Sequence, residues 1–104
     1  MDINAVKNWA ILDSGATSHF LTSMAPATNI TPTTKPIIAR LPNGERVTST
    51  HTCTLDIPAL PAAARLAHII PNLASHSLIS VITLCNAGCD ITFGKIRCTI
   101  SYRG

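Results

Sequence analysis

Residues 9–17 read Trp9-Ala10-Ile11-Leu12-Asp13-Ser14-Gly15-Ala16-Thr17. An apolar run enters Asp-Ser-Gly directly. A carboxylate at the end of a hydrophobic strand is costly to place there unless it has partners or a task. Ser14 is able to hydrogen-bond neighbouring backbone and shape the turn, and Gly15 allows a tight turn or the close approach of another main chain. Asp-Ser-Gly is also a common turn tripeptide, so the rest of the chain has to decide. The expectation is a strand over residues 5–12 that becomes buried toward its end, followed by a loop in which Asp13 is presented by Ser14, Gly15, Ala16 and Thr17.

Outward from this loop the chain reads as mostly strand. His19-Phe20-Leu21 makes a second short strand, and residues 25–36, rich in Pro and Thr, read as an irregular surface loop. A hairpin follows, centred on Asn43-Gly44, the favoured pair for a two-residue turn. Its return alternates: Val47, Ser49, His51, Cys53, Leu55 and Ile57 fall on one face, which predicts one long half-buried strand. Residues 64–70 predict a further strand, stopped by Pro71. From Ser77 to Gly88 the pattern changes. Leu78, Val81, Ile82 and Cys85 recur at helical spacing, Ser77 or Ser80 is able to cap the N-terminus and Gly88 the C-terminus, which predicts one short helix near residues 78–87. A second hairpin, turning on Gly94-Lys95, closes the chain.

The 104 residues suit a single domain, 1–104, with one modest core. Charged residues make up only 12% against 46% apolar, a low fraction for a surface wholly in water, which suggests that a partner covers part of it. The net charge of +3 is scattered, with no Lys/Arg cluster and few aromatics, so nucleic-acid binding is not expected. No stretch is long and apolar enough to span a membrane, and no signal peptide opens the chain. Cys53, Cys85, Cys89 and Cys98 fit no zinc spacing and read as buried free thiols in a reducing compartment; no metal and no cofactor are expected.

Four pieces in order now carry a resemblance: Trp9-x-Ile-Leu-Asp13-Ser14-Gly15-Ala16-Thr17-Ser18-His19, then Leu41-Pro42-Asn43-Gly44, then His76-Ser77-Leu78-Ile79-Ser80-Val81 through Leu84, then Gly88-Cys89-x-Ile91-Thr92-Phe93. Together the chain resembles a retropepsin, specifically the aspartic protease segment of a copia-type LTR retrotransposon Gag–Pol polyprotein. The resemblance implies an all-β, closed retropepsin-like barrel, with Asp13 as the catalytic carboxylate and Ser14, Gly15, Ala16 and Thr17 as its loop. It implies that Arg40, Leu41, Pro42, Asn43, Gly44, Glu45 and Arg46 form a flap over the cleft, and that Leu78, Ile79 and Ser80 pack on the active-site loop. It implies polyprotein processing, autoprocessing included, within virus-like particles in the cytoplasm. Retroviral relatives carry Thr in place of Ser14 and Gly in place of Ser80, and their flaps hold more glycine than the one Gly44 here.

Aspartic proteolysis needs two carboxylates sharing one proton. At roughly 3 Å both cannot be ionised; one takes a proton from a water held between them while the other hydrogen-bonds the scissile carbonyl. The acids are Asp2, Asp13, Glu45, Asp56 and Asp90, and only Asp13 is followed by Ser-Gly. One chain thus holds half a dyad, and the other half is expected from a second copy across a two-fold axis. The expected partners are therefore a second copy and an extended polypeptide. The competing expectation is a catalytically inactive, monomeric retropepsin-like domain that binds peptides or is retained by a host.

Overall fold

The computed structural model describes residues 10–23, 25–41, 43–73, 76–95 and 98–102. The expected strand start at residues 5–9, the flap's Pro42, and the Ile96 and Arg97 of the second hairpin lie outside them. In chain order the elements are β1 (Ala10–Asp13), β2 (His19–Leu21), β3 (Ala27–Pro32), β4 (Ile38–Arg40), β5 (Arg46–Thr48), β6 (His51–Leu55), a 3-10 turn (Ala62–Ala64), β7 (Leu66–Ile69), β8 (Ser77–Ser80), α1 (Val81–Asn86), β9 (Cys89–Phe93) and β10 (Cys98–Tyr102). Among the described residues the expected all-β class with one short helix holds.

The closed barrel does not. Six strands form one mixed sheet in the order β1-β8-β2-β7-β6-β3, while β4–β5 and β9–β10 are separate two-stranded ribbons. No ladder joins β1 to β3 among the described residues. β3 is suited to an edge: its register with β6 slips between Thr28 and Thr31, Asn29 has φ 52°, and Pro32 has no N–H to give. That strand also corrects the reading of residues 25–36 as a loop. Its threonines favour extended backbone, and an edge position tolerates the proline.

The long return strand is two strands. Val47, Ser49, Cys53 and Leu55 are buried as the alternation requires, yet β5 pairs with β4 whereas β6 joins the large sheet. The break falls at Ser49-Thr50. The Ser49 N–H donates to the Ile37 carbonyl and its Oγ accepts the Ile37 N–H at 2.9 Å, while the Thr50 N–H turns to the Ile69 carbonyl. The hairpin turn is also longer than two residues: Arg40 pairs with Arg46, the Gly44 N–H reaches the Leu41 carbonyl, and Gly44 alone takes a positive φ (85°). This is the three-residue loop in which Gly supplies the left-handed position, so Asn43 need not. In the second hairpin the described ladder closes with Phe93 opposite Cys98.

The predicted helix near residues 78–87 begins late. Ser77–Ser80 is a strand lying parallel to β1, with Asp13 opposite Ser80, and only Val81–Asn86 is helical. Ser80 caps it by accepting the Thr83 N–H at 3.0 Å. The strand expected over residues 64–70 is shortened at its start by the 3-10 turn. Cys53 and Cys89 are buried thiols as expected; Cys85 is exposed, because it sits on the outer side of α1.

The core has two parts. The larger gathers Leu21, Leu55, Ala64, Ala67, Ile79 and Leu84 with their neighbours between the sheet and α1. The smaller joins Ala16 and Phe20 to Val47, Ile70 and Leu73, with Ala39 and Leu41 packed against it. The second cluster seats the β4–β5 hairpin beside the Asp13 loop. Burying Val47 alone stabilises that seat by about 1.5–3 kcal/mol.

Candidate functional site

β1 ends with Asp13 half-buried, and the chain leaves the sheet through Ser14, Gly15 and Ala16. The carboxylate organises its own turn: Gly15 N–H donates to Asp13 Oδ1 at 2.7 Å. A Cβ on Gly15 would lie 3.3 Å from that oxygen, so glycine is what lets the carboxylate sit so close to the main chain. Ser14 is exposed, and its hydroxyl makes no hydrogen bond among the described residues. The turn-shaping role expected of it belongs to Asp13.

The loop is fastened from β8 and α1. Ser80 Oγ donates to the Ala16 carbonyl at 2.7 Å, and Thr83 Oγ1 donates to the Thr17 carbonyl at 3.3 Å. Behind the loop, His19 is fully buried. Its Nδ1 accepts the Ser80 N–H at 2.9 Å, and its Nε2 lies 2.7 Å from the Ala64 carbonyl. Burial pushes the imidazole below its ordinary value; the Ala64 hydrogen bond opposes this, and the nearby His68 reinforces it. The sequence reads His19 as the first residue of a short strand and does not mark it as the anchor.

A cleft of ≈ 500 Å³ opens over the loop. Asp13, Gly15, Ala16, Thr17 and Phe20 form the floor, and Ile38, Ala39, Arg40 and Leu41 of the hairpin form the opposite wall. Leu73 and Leu78 close one side. Of the expected flap residues, Arg40 and Leu41 line the cleft, whereas Asn43, Gly44, Glu45 and Arg46 make the exposed tip beyond it. Of the expected packing segment, Leu78 lines the cleft, Ile79 enters the main core and Ser80 holds the loop. Phe20, Ile38, Ala39 and Leu73 were missed as cleft residues, since burial of one wall depends on how the hairpin folds back.

Asp13 is the one acid among the described lining residues. Glu45 sits at the hairpin tip, where its main-chain N–H is held by Asn43, and Asp56 and Asp90 are exposed elsewhere. Among the described residues no three His, Cys, Asp or Glu side chains come together as a metal site. Among the described residues no helix is long and apolar enough to cross a membrane. Compared with models of protein families, with curated proteins and with solved structures, the chain matches none.

Proposed function

We propose that this chain is one half of a homodimeric aspartic endopeptidase of the retropepsin kind, acting on extended polypeptide in retrotransposon polyprotein processing. The observation that carries the reading is Asp13: a single carboxylate on a glycine turn, at the floor of a cleft walled by a hairpin. An extended peptide suits such a cleft, because its backbone is able to pair with neighbouring strands while alternate side chains enter apolar pockets. Phe20, Leu73 and Leu78 supply apolar surface for residues near the cut.

One carboxylate per cleft is half of what the chemistry needs. In the dimer, Asp13 of each copy shares a proton with the other. The ionised member takes a proton from a bound water, which attacks the scissile carbonyl; the protonated member hydrogen-bonds the carbonyl oxygen as it becomes an oxyanion. The pair titrates as a unit, so neither copy owns either role. The hairpin excludes water once substrate lies beneath it.

Sedimentation and a cleavage assay test this together. A dimer at micromolar concentration, cleavage blocked by a statine-type transition-state mimic, and loss of cleavage in a folded Asp13→Asn protein are expected. Cleavage that survives Asp13→Asn overturns the assignment. A monomer that binds extended peptides without cutting them turns the same cleft into a peptide-binding site.

A further inference from the structure

The anchor behind the Asp13 loop is a titratable group that the proposed chemistry leaves unused. Both ring nitrogens of His19 are engaged, one with an amide and one with a carbonyl. An amide only donates and a carbonyl only accepts. Nδ1 is therefore bare and Nε2 carries the hydrogen, which fixes a neutral ring in one tautomer. The residue it grips, Ser80, is the strand partner of Asp13 and gives its hydroxyl to the Ala16 carbonyl. One imidazole thus ties three separate segments: the loop, the end of β8 and the 3-10 turn.

We propose that His19 is a positioning residue for Asp13 and holds the loop only while it is uncharged. A proton on Nδ1 sets two N–H donors face to face at 2.9 Å, which breaks the grip on the Ser80 main chain and loosens the Ser80–Ala16 tether. The Ala64 carbonyl favours the cation, but no described acid stands against the ring. The titratable group of β7 is His68, which stands opposite Phe20 rather than His19 and whose charge disfavours the cation from there; Arg65, beside Ala64, has its Nε tied to the Leu55 carbonyl. β8 carries no ionisable side chain, α1 carries only Cys85, and β1 contributes Asp13 at the far side of the loop. The inference rests on Asp13 as the reacting carboxylate for its catalytic consequence, and on geometry alone for the loop.

Nitrogen-detected NMR of the histidine rings, run with a pH titration of the backbone amides and a cleavage pH profile, separates the two. The His19 ring is expected as the Nε2–H tautomer at pH 7.5. On acidification the Ala16 and Ser80 amides move with the midpoint of the His19 ring, and the exchange protection of Ser80 falls about tenfold across it. In His19→Asn, whose Oδ1 is able to accept the Ser80 N–H but does not titrate, those movements vanish and the acid limb of kcat shifts to lower pH with KM unchanged. An Nδ1–H tautomer, or Ala16 and Ser80 titrations that persist in His19→Asn, overturns the proposal. Should the variant not fold, Ser80 protection in the unaltered protein decides: a fall at the His19 midpoint supports the proposal and a flat profile overturns it. A shared midpoint with no cleavage at any pH supports the loop tether and removes the proteolytic reading alone.

Discussion

Ser80→Ala removes a fully buried hydroxyl with two duties. It caps α1 through the Thr83 N–H at 3.0 Å, and it satisfies the buried Ala16 carbonyl at 2.7 Å. Losing an N-cap of this kind costs about 1 kcal/mol. Leaving a buried carbonyl without its donor costs about 1–3 kcal/mol more. The sum, about 2–4 kcal/mol, is a large share of the roughly 5–15 kcal/mol that holds a domain together. For a chain of this length it lowers the melting temperature by about 10 °C or more. The adjacent Thr83→Ala is the control. Its hydroxyl reaches the same loop, at Thr17, but over 3.3 Å on an exposed path, so its loss costs about 0.5 kcal/mol or less. Urea unfolding followed by circular dichroism, at one fixed protein concentration because a dimer's stability depends on it, measures both. A Ser80→Ala loss below about 1 kcal/mol, or one equal to that of Thr83→Ala, refutes the claim that Ser80 fastens the loop to the sheet.

Gly15→Ala pushes the Asp13 oxygen by a few tenths of an ångström without entering a forbidden backbone region, so cleavage falls about tenfold or more while stability holds or rises by about 0.4–1 kcal/mol; kinetics beside urea unfolding checks this. Gly88→Ala meets Tyr102 only at ordinary contact distance, but its φ of 92° costs an L-residue about 1–2 kcal/mol, part of which Gly88→Asn recovers in the same unfolding assay. Arg46→Glu replaces a like-charge pair directly across from Arg40 with an opposite one and raises the melting temperature, by about 0.2–1 kcal/mol of stabilisation that added salt diminishes. His19 and His68 are both held below their ordinary values by burial, so the unfolded chain takes up protons first. The fold is therefore at full strength above about pH 6.5 and weakens as pH falls, by up to about 1.4 kcal/mol per pH unit for His19 while it stays neutral; equal urea midpoints at about pH 7.5 and 5.5 refute this.

The elements that were legible are those whose local chemistry agrees with their place in the fold. β1 and β2 are short apolar runs flanking Asp-Ser-Gly, and β4 and β5 flank Asn-Gly, so pattern and turn residues point the same way. Residues 78–87 show where pattern fails. Leu78, Val81, Ile82 and Cys85 share a helical face on paper, yet a buried strand running into a capped helix gives the same spacing. The decision was made by parallel pairing with β1, a contact no local window contains. Ser49 behaves likewise: its place in the alternation was right, but the chain changes sheets there because its hydroxyl and main chain answer Ile37. The Asp13 turn was legible from three residues. Its fastening by Ser80 and His19 was not, because both are polar residues whose burial only the assembled sheet explains.

The hydrogen bonds that fasten the loop join residues 61 and 64 positions apart along the chain. Contacts of such span are slow to find, because the closure entropy of the intervening segment is lost before they return anything. During synthesis the strand partner of the carboxylate emerges about 67 residues after it, several seconds at ribosomal speed. A nascent or truncated chain ending before Ser80 carries the acid with nothing behind it. Order of manufacture thus imposes a delay: the corner around Asp13 is completed only after the whole stretch of chain between it and Ser80 exists.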